Sequence, residues 1–269
     1  MMRLLDIFSD NLIADAYLET IDVDAESIGL AYKSFDLIAA EYDEIAGQFD
    51  GFPIAAKFGS SHFVEHRPEC GKSGKRALDI GCGTGRTLAA LSPYFDEVVG
   101  IDISPGMLKV ANERCRSLSN VSCYELNAVR LEPFLGGFDY VVSHTTLHHF
   151  ADVSRPLSEI RRVINPGGKI VLVDIIAQGL MKRHAALVRQ LVAAIESLRI
   201  IKNCGFFDAI KTYQNNTPNA WLKHLNEDRF LARNEMVKSY SRVFPGATFE
   251  DRRLEYGLNM LMSVSWENS

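Results

Sequence analysis

Between residues 76 and 176 short apolar runs alternate with stretches of helical spacing, and that alternation limits the fold more than any other feature of the chain. The runs are "RALDIG", "EVVGID", "VSCYEL", "FDYVVSH" and "KIVLVDII", with helices expected from residue 85, from residue 105 and over residues 153–164. Alternation of this kind gives an α/β fold, a parallel sheet covered by helices on both faces. Ser104 followed by Pro105 reads as an N-cap with proline at the first helical position. Asn165, Pro166, Gly167 and Gly168 read as a turn after a helix whose apolar stripe is Val153, Leu157, Ile160 and Ile164.

The flanks differ from this core. Residues 1–75 read as a helical cap, carried by "AYKSFDLIAAEYDEIAGQF", and a polar linker, "GSSHFVEHRPECGKSGK", over residues 59–75. Residues 177–246 break the alternation and read as a lid or substrate insertion. Its helical stripe of Leu180, Leu187, Leu191, Ile195 and Leu198 is expected to be buried packing, and the cap and lid helices are candidate surfaces for a homo-oligomer. Residues 247–269 close the core. There "GLNMLMSVSW" alternates, with Leu258, Met260, Met262, Val264 and Trp266 on one face, as a strand paired antiparallel with residues 247–256.

In "ALDIGCGTGRTLAAL" glycines stand at positions 81, 83 and 85, between a strand and a helix. At the carboxyl ends of the strands in an open α/β sheet, a bare backbone lets a ligand approach closely. Asp102 ends the next strand, where a carboxylate can accept hydrogen bonds from ribose hydroxyls, so a nucleoside is implied. A dinucleotide loop needs glycine or alanine at position 86. Arg86 stands there, which argues against NAD.

Taken in order, "LDIGCGTG", "VVGIDIS", "FDYVVSHTTLHHF" and "INPGGKIVLVD" resemble the successive motifs of class I S-adenosylmethionine-dependent methyltransferases. The nearest branch is the small-molecule one that includes quinone C-methyltransferases and many natural-product methyltransferases. The resemblance covers about residues 30–176 and the terminal strand pair. It implies a Rossmann-like seven-stranded sheet with an antiparallel last strand, S-adenosyl-L-methionine as cofactor and S-adenosyl-L-homocysteine as its product. Carried over by position, it assigns Asp79, Gly81, Cys82, Gly83 and Gly85 to the methionine part of the cofactor. Asp102 goes to the ribose hydroxyls, and Ile103 and Met107 to the flanks of the adenine. Where many relatives carry an aspartate for the adenine amino group, Asn127 and Ala128 stand here, and an asparagine oxygen can still accept from that group. Tyr42 matches a tyrosine that covers the cofactor from the cap.

Three histidines follow the fourth strand. His144, at the edge where the methyl donor is expected, would touch the cofactor and could orient or deprotonate a nucleophile. His149 is the second candidate catalytic group, although His148 and His149 also read as structural supports. His62, His66 and Cys70 have helical spacing for a metal, but Pro68 interrupts that helix and no fourth ligand is evident, so no metal is expected. Trp221, His224 and Asp228 would line a substrate pocket or pack onto the core.

Composition removes other classes. With 47% hydrophobic and 23% charged residues and a net charge of −5, the chain has no excess of basic residues for nucleic acid or an anionic membrane. Its five cysteines contain no CxxC pair, against a disulfide framework or structural zinc. "MMRLLDIFSDNLI" carries Asp6 and Asp10 where a signal peptide is apolar, and no apolar run reaches membrane-spanning length, so a soluble, cytoplasmic protein is expected. The expected function is methyl transfer to carbon, oxygen or nitrogen of a small organic acceptor, in secondary-metabolite or quinone-type biosynthesis. Two alternatives share every motif used: a protein of the same fold catalysing a non-methylating reaction such as cyclisation, and a non-catalytic partner subunit.

Overall fold

The computed structural model describes residues 59–69, 75–131, 137–177, 230–253 and 260–268, with single positions at 36, 39, 184, 187, 190, 191, 194 and 210. Seven strands form one sheet: β1 (Arg76–Ile80), β2 (Glu97–Asp102), β3 (Val121–Glu125), β4 (Phe138–His144), β5 (Ile164–Ile176), β6 (Thr248–Arg253) and β7 (Met260–Glu267). Their order is β3-β2-β1-β4-β5-β7-β6. Neighbours among β1 to β5 are parallel, and β7 runs antiparallel to both β5 and β6. This is the Rossmann-like arrangement with a reversed last strand.

Helices cover both faces. On one, α4 (Ser154–Val163) and α5 (Arg233–Val243) bring Leu157, Ile160, Met236 and Tyr240 onto Leu78, Ile80, Val141 and Leu172. On the other, α1 (Ser60–Glu65), α2 (Arg86–Leu91) and α3 (Pro105–Cys115) bring Phe63, Leu88, Leu91 and Leu108 onto Ala77, Val98, Val142 and Val171. The central strands are thus buried on both sides, which is why they read as mainly apolar runs. Each such side chain contributes about 1.5–3 kcal/mol by leaving water. The start of α3 matches its sequence chemistry, since the Ser104 hydroxyl accepts the Met107 N–H at 3.1 Å and Pro105 follows the cap.

Three local expectations are corrected. Asn165–Gly168 is not a turn between elements, because Ile164 already belongs to β5 and the four residues form an irregularity inside that strand. The register with β4 steps from Phe138↔Ile164 to Tyr140↔Lys169, and Gly167 takes φ +72°. Asn268 fills the irregularity, exchanging backbone hydrogen bonds with Gly167 and Gly168 and donating its side-chain amide to the Ile164 and Asn165 carbonyls. Second, the segment read as a linker opens with α1, whose Phe63 is fully buried and whose Phe63 carbonyl accepts the Tyr140 hydroxyl at 2.8 Å. Third, Leu187 and Leu191 of the expected packed stripe are 52% and 55% exposed.

The stretch read as an insertion ends in α5, which belongs to the core of the sheet. On β7, Met262, Val264 and Trp266 face α4 and α5 as the alternation requires, and Leu261 and Ser263 face α1. Trp221, His224, Asp228 and Cys70 lie outside the described residues. Among the described residues, no helix is long and apolar enough to cross a membrane.

Candidate active site

The glycine loop turns directly off β1 across the end of β2. The Gly81 and Cys82 N–H groups both donate to the Ile101 carbonyl, at 2.8 and 2.9 Å. Gly81 has φ +69°, and a Cβ there would lie 2.2 Å from Thr146 Oγ1, so the loop after β1 and the loop after β4 touch only because residue 81 has no side chain. Gly83, at φ +51°, is different: nothing lies within 4 Å of the Cβ it lacks. Its bare backbone faces an open crevice at the carboxyl ends of β1 and β2.

Asp102 ends β2 at the same place. One carboxylate oxygen accepts the Gly83 N–H at 2.8 Å and the other accepts the Ser104 N–H at 2.9 Å. Burial pushes its pKa up, against the hydrogen bonds from Ser104 and Gly83 that pull it down. Asp36 reaches in from the amino-terminal segment, accepting the Ser104 hydroxyl at 2.5 Å and the Gly106 N–H at 2.9 Å. Asp79 lies on the sheet face opposite Leu78 and Ile80 and is 2% exposed. Burial, and then the nearby Asp102 carboxylate, push its carboxyl up to about 8. Cys82 is buried beside it, and its hydrogen bond with Cys123 followed by burial keeps it a neutral thiol.

Met107 and Ala128 are buried and Ile103 half-buried at this crevice's β2–β3 side. The Asn127 side-chain oxygen accepts the Val129 N–H at 3.1 Å, so one of its lone pairs serves a local turn. Tyr42 lies outside the described residues.

The histidines separate. The His144 ring stands edge-on to Phe63, with centroids 5.7 Å apart, on the α1 side of the sheet. Thr145, next along, takes φ +50°, an unfavourable conformation for a β-branched residue, at the turn that carries Thr146 to Gly81. His148 lies in a short 3-10 turn, Leu147–His149, with its Nδ1 2.5 Å from Asp174 Oδ1. The His149 ring packs 4.0 Å from that of His148, and burial, then His148, push its pKa well down, so it is neutral at neutral pH. Asp174 escaped the sequence reading, although a lone carboxylate inside the apolar run "KIVLVDII" is a signal that a partner must be near.

Residues 78–172 match the family model described as a methyltransferase domain. That stretch is of methyltransferase-domain type. The demethylmenaquinone methyltransferase of Staphylococcus carnosus is 37% identical to this chain over 106 residues, which are 38% of this chain and 44% of that protein. The chain thus spans less than half the length of the curated relatives it matches. Among solved structures, the [4+2]-cyclase SpnF superposes with a TM-score of 0.63 at 15% identity, over 90% of this chain and 96% of its own. The N-methyltransferase NodS from Bradyrhizobium japonicum, solved with S-adenosyl-L-homocysteine, gives 0.59 at 14% identity, over 88% and 98%. These likenesses establish the fold.

Within residues 78–172 the side chains and backbone fit S-adenosylmethionine. Gly83 offers open backbone, Asp102 a carboxylate beside it, and Asp79 a second carboxyl that is buried. A ribose diol, and an amino acid carrying an ammonium group, answer those features in turn.

Proposed function

We propose that the chain transfers the methyl group of S-adenosyl-L-methionine to a small organic acceptor, leaving S-adenosyl-L-homocysteine. The observation that carries this reading is the open Gly83 backbone joined to Asp102, inside a domain of methyltransferase type. Asp102 holds the ribose hydroxyls, Asp79 and the loop of Gly81, Cys82, Gly83 and Gly85 hold the methionine part, and Ile103, Met107, Asn127 and Ala128 surround the adenine. Asp36 holds the start of α3 beside Asp102.

When bound, the cofactor supplies an electrophilic methyl on a good leaving group. The chain's task is to align the acceptor with it and to exclude water. His144 sits at the end of β4 where it can flank the methyl donor. An electron-rich aromatic such as a quinol is the first acceptor class to test, given what the staphylococcal relative is named for. The three described free thiols, Cys82, Cys115 and Cys123, favour a reducing, cytoplasmic setting.

Calorimetry with S-adenosyl-L-methionine, S-adenosyl-L-homocysteine and NAD tests the cofactor. Binding of the first two at micromolar or tighter affinity, with none for NAD, is expected; the reverse overturns the reading. Mass spectrometry of acceptors incubated with the cofactor then separates methylation, which adds one methyl, from cyclisation, which adds no mass.

A further inference from the structure

Three cysteines from three elements meet around the glycine loop. Cys82 belongs to the loop itself, Cys115 to α3 and Cys123 to β3, the edge strand of the sheet. The register explains why two of them touch. Asp79, Gly100 and Cys123 are successive partners across β1, β2 and β3, so they form one row on one face of the sheet. Gly100 leaves a gap in that row. A Cβ on it would lie 2.9 Å from the Cys82 sulfur and 2.6 Å from Leu88 Cδ1, so Cys82 lies over β2 where a side chain would otherwise stand. From there its thiol hydrogen-bonds that of Cys123. Cys115 takes no part in that bond, its thiol donating instead to the Gly85 carbonyl at 3.8 Å.

The two bonded thiols are unequal. Cys82 is 7% exposed, and the hydrogen bond with Cys123, then burial, push its pKa well up. Cys123 is half-buried on the edge strand, and the same hydrogen bond pulls its pKa down, against burial and the Asp102 charge. A thiolate is the form that attacks an oxidant, and a second thiol in contact with it converts the first oxidation product to a disulfide before higher acids form. Here the more accessible and more acidic sulfur touches the protected one. Cys115, 5% exposed and pushed up to about 11 by burial first, has neither property.

We propose that Cys82 and Cys123 are an oxidation site, which a hydroperoxide converts to a disulfide that weakens cofactor binding by drawing the glycine loop toward β3. The effect on binding rests on the methyl-transfer reading above; the bond itself does not. In the first step the Cys123 thiolate, its proton already lost to water, attacks one peroxide oxygen. The oxygen–oxygen bond breaks with its pair on the departing oxygen, which takes up a proton and leaves as water or an alcohol. The Cys82 sulfur then attacks the sulfur of the Cys123 sulfenic acid, the sulfur–oxygen bond breaks, and the hydroxide takes the Cys82 proton and leaves as water. Two thiols have given up two electrons and two protons to one peroxide. A covalent bond is shorter than the hydrogen bond it replaces, so Cys82 moves toward β3. Gly83 follows Cys82 in the chain and donates to Asp102 at 2.8 Å, so the displacement falls on the backbone and the carboxylate assigned to the cofactor. A reducing dithiol reverses it by exchange.

The test uses the full chain, reduced and then exposed to hydrogen peroxide. Peptide mapping by mass spectrometry should find Cys82 linked to Cys123 with two hydrogens lost. Calorimetry should find S-adenosyl-L-homocysteine bound about tenfold more weakly by the oxidised chain, with full affinity restored by dithiothreitol. By linkage, S-adenosyl-L-homocysteine should shift the thiol–disulfide equilibrium toward the thiols by the same factor. Cys123→Ser should leave the affinity of the reduced chain unchanged and make it insensitive to peroxide, while Cys115→Ser should respond as the parent does. The mapped link in the parent chain decides the bond even if a variant fails to fold. No link, or a link from Cys123 to any other cysteine, overturns the proposal. A Cys82–Cys123 link with unchanged S-adenosyl-L-homocysteine affinity overturns the effect on binding and leaves methyl transfer standing. A reduced chain that binds no S-adenosyl-L-homocysteine overturns methyl transfer, and the effect on binding with it.

Discussion

Asp102 holds the glycine loop through the Gly83 N–H at 2.8 Å, so the carboxylate assigned to the ribose also shapes the backbone that meets the rest of the ligand. Were ligand hydroxyls its main partners, Asp102→Ala would weaken binding far more than it alters the fold. The structure adds a loss of loop order. Asp102→Ala should weaken S-adenosyl-L-homocysteine binding by about 10- to 100-fold, in line with losing charge-assisted hydrogen bonds of roughly 1.5–3 kcal/mol, and should also lower the melting temperature. Calorimetry and thermal melting check both halves; binding within a factor of two of the parent would remove Asp102 from the ribose.

Asp79, if it meets the cofactor's ammonium group, should make binding depend on pH. A carboxyl with a pKa near 8 is protonated at pH 7, and pairing with an ammonium requires it to ionise. Binding should therefore release about one proton at pH 7, and affinity should rise with pH until about pH 8. Calorimetry in buffers of different ionisation enthalpy reads the proton directly. Without ligand the sign reverses. The folded chain keeps a proton between about pH 4 and 8 that the unfolded chain has released, so stability falls as pH rises through that window. Asp79→Asn should flatten this fall, and an unchanged slope would exclude Asp79 as its source.

Gly81 and Thr146 form a contact that tolerates no side chain at residue 81. Gly81→Ala should cost about 1–3 kcal/mol, from overlap with Thr146 and from the positive φ together. Adding Thr146→Gly should recover the overlap part and leave the conformational part. Denaturant unfolding of the two variants separates them, and no recovery would place the whole cost in the backbone.

His62 Nε2 lies 2.9 Å from Ser263 Oγ, tying α1 to β7 across 201 residues of chain. Ser263→Ala should destabilise by about 1 kcal/mol, and a double-mutant cycle with His62→Leu should return a coupling of similar size. Additive effects would mean that the bond contributes nothing.

What could be read in the sequence followed from how each signal arises. The β1, β2, β4 and β5 cores are mainly apolar because both faces are covered, and the Ser104-Pro105 pair marks a helix start by local hydrogen bonding alone. The Asn165–Gly168 stretch misleads because Pro and Gly serve turns and strand irregularities equally, and its partner Asn268 lies about a hundred residues on. In α1 the surrounding Gly, Ser and Pro look like a linker, and only the burial of Phe63 against Tyr140 says otherwise. The crevice was legible through its glycines and Asp102. That His148, and not its neighbours, meets Asp174 was not, since the aspartate stands on a different strand.

β7 follows β6 in the chain, yet in the sheet it lies between β5 and β6. During synthesis, β5 therefore offers an open edge from Lys169 to Ile176 until residues 260–267 leave the ribosome, and β6 has nothing to join before then. An exposed apolar edge of that length is a template for pairing with another chain. Ribosomes that stall or terminate before residue 260 should accordingly release product that aggregates, and a complementing peptide carrying the β7 sequence should rescue its solubility.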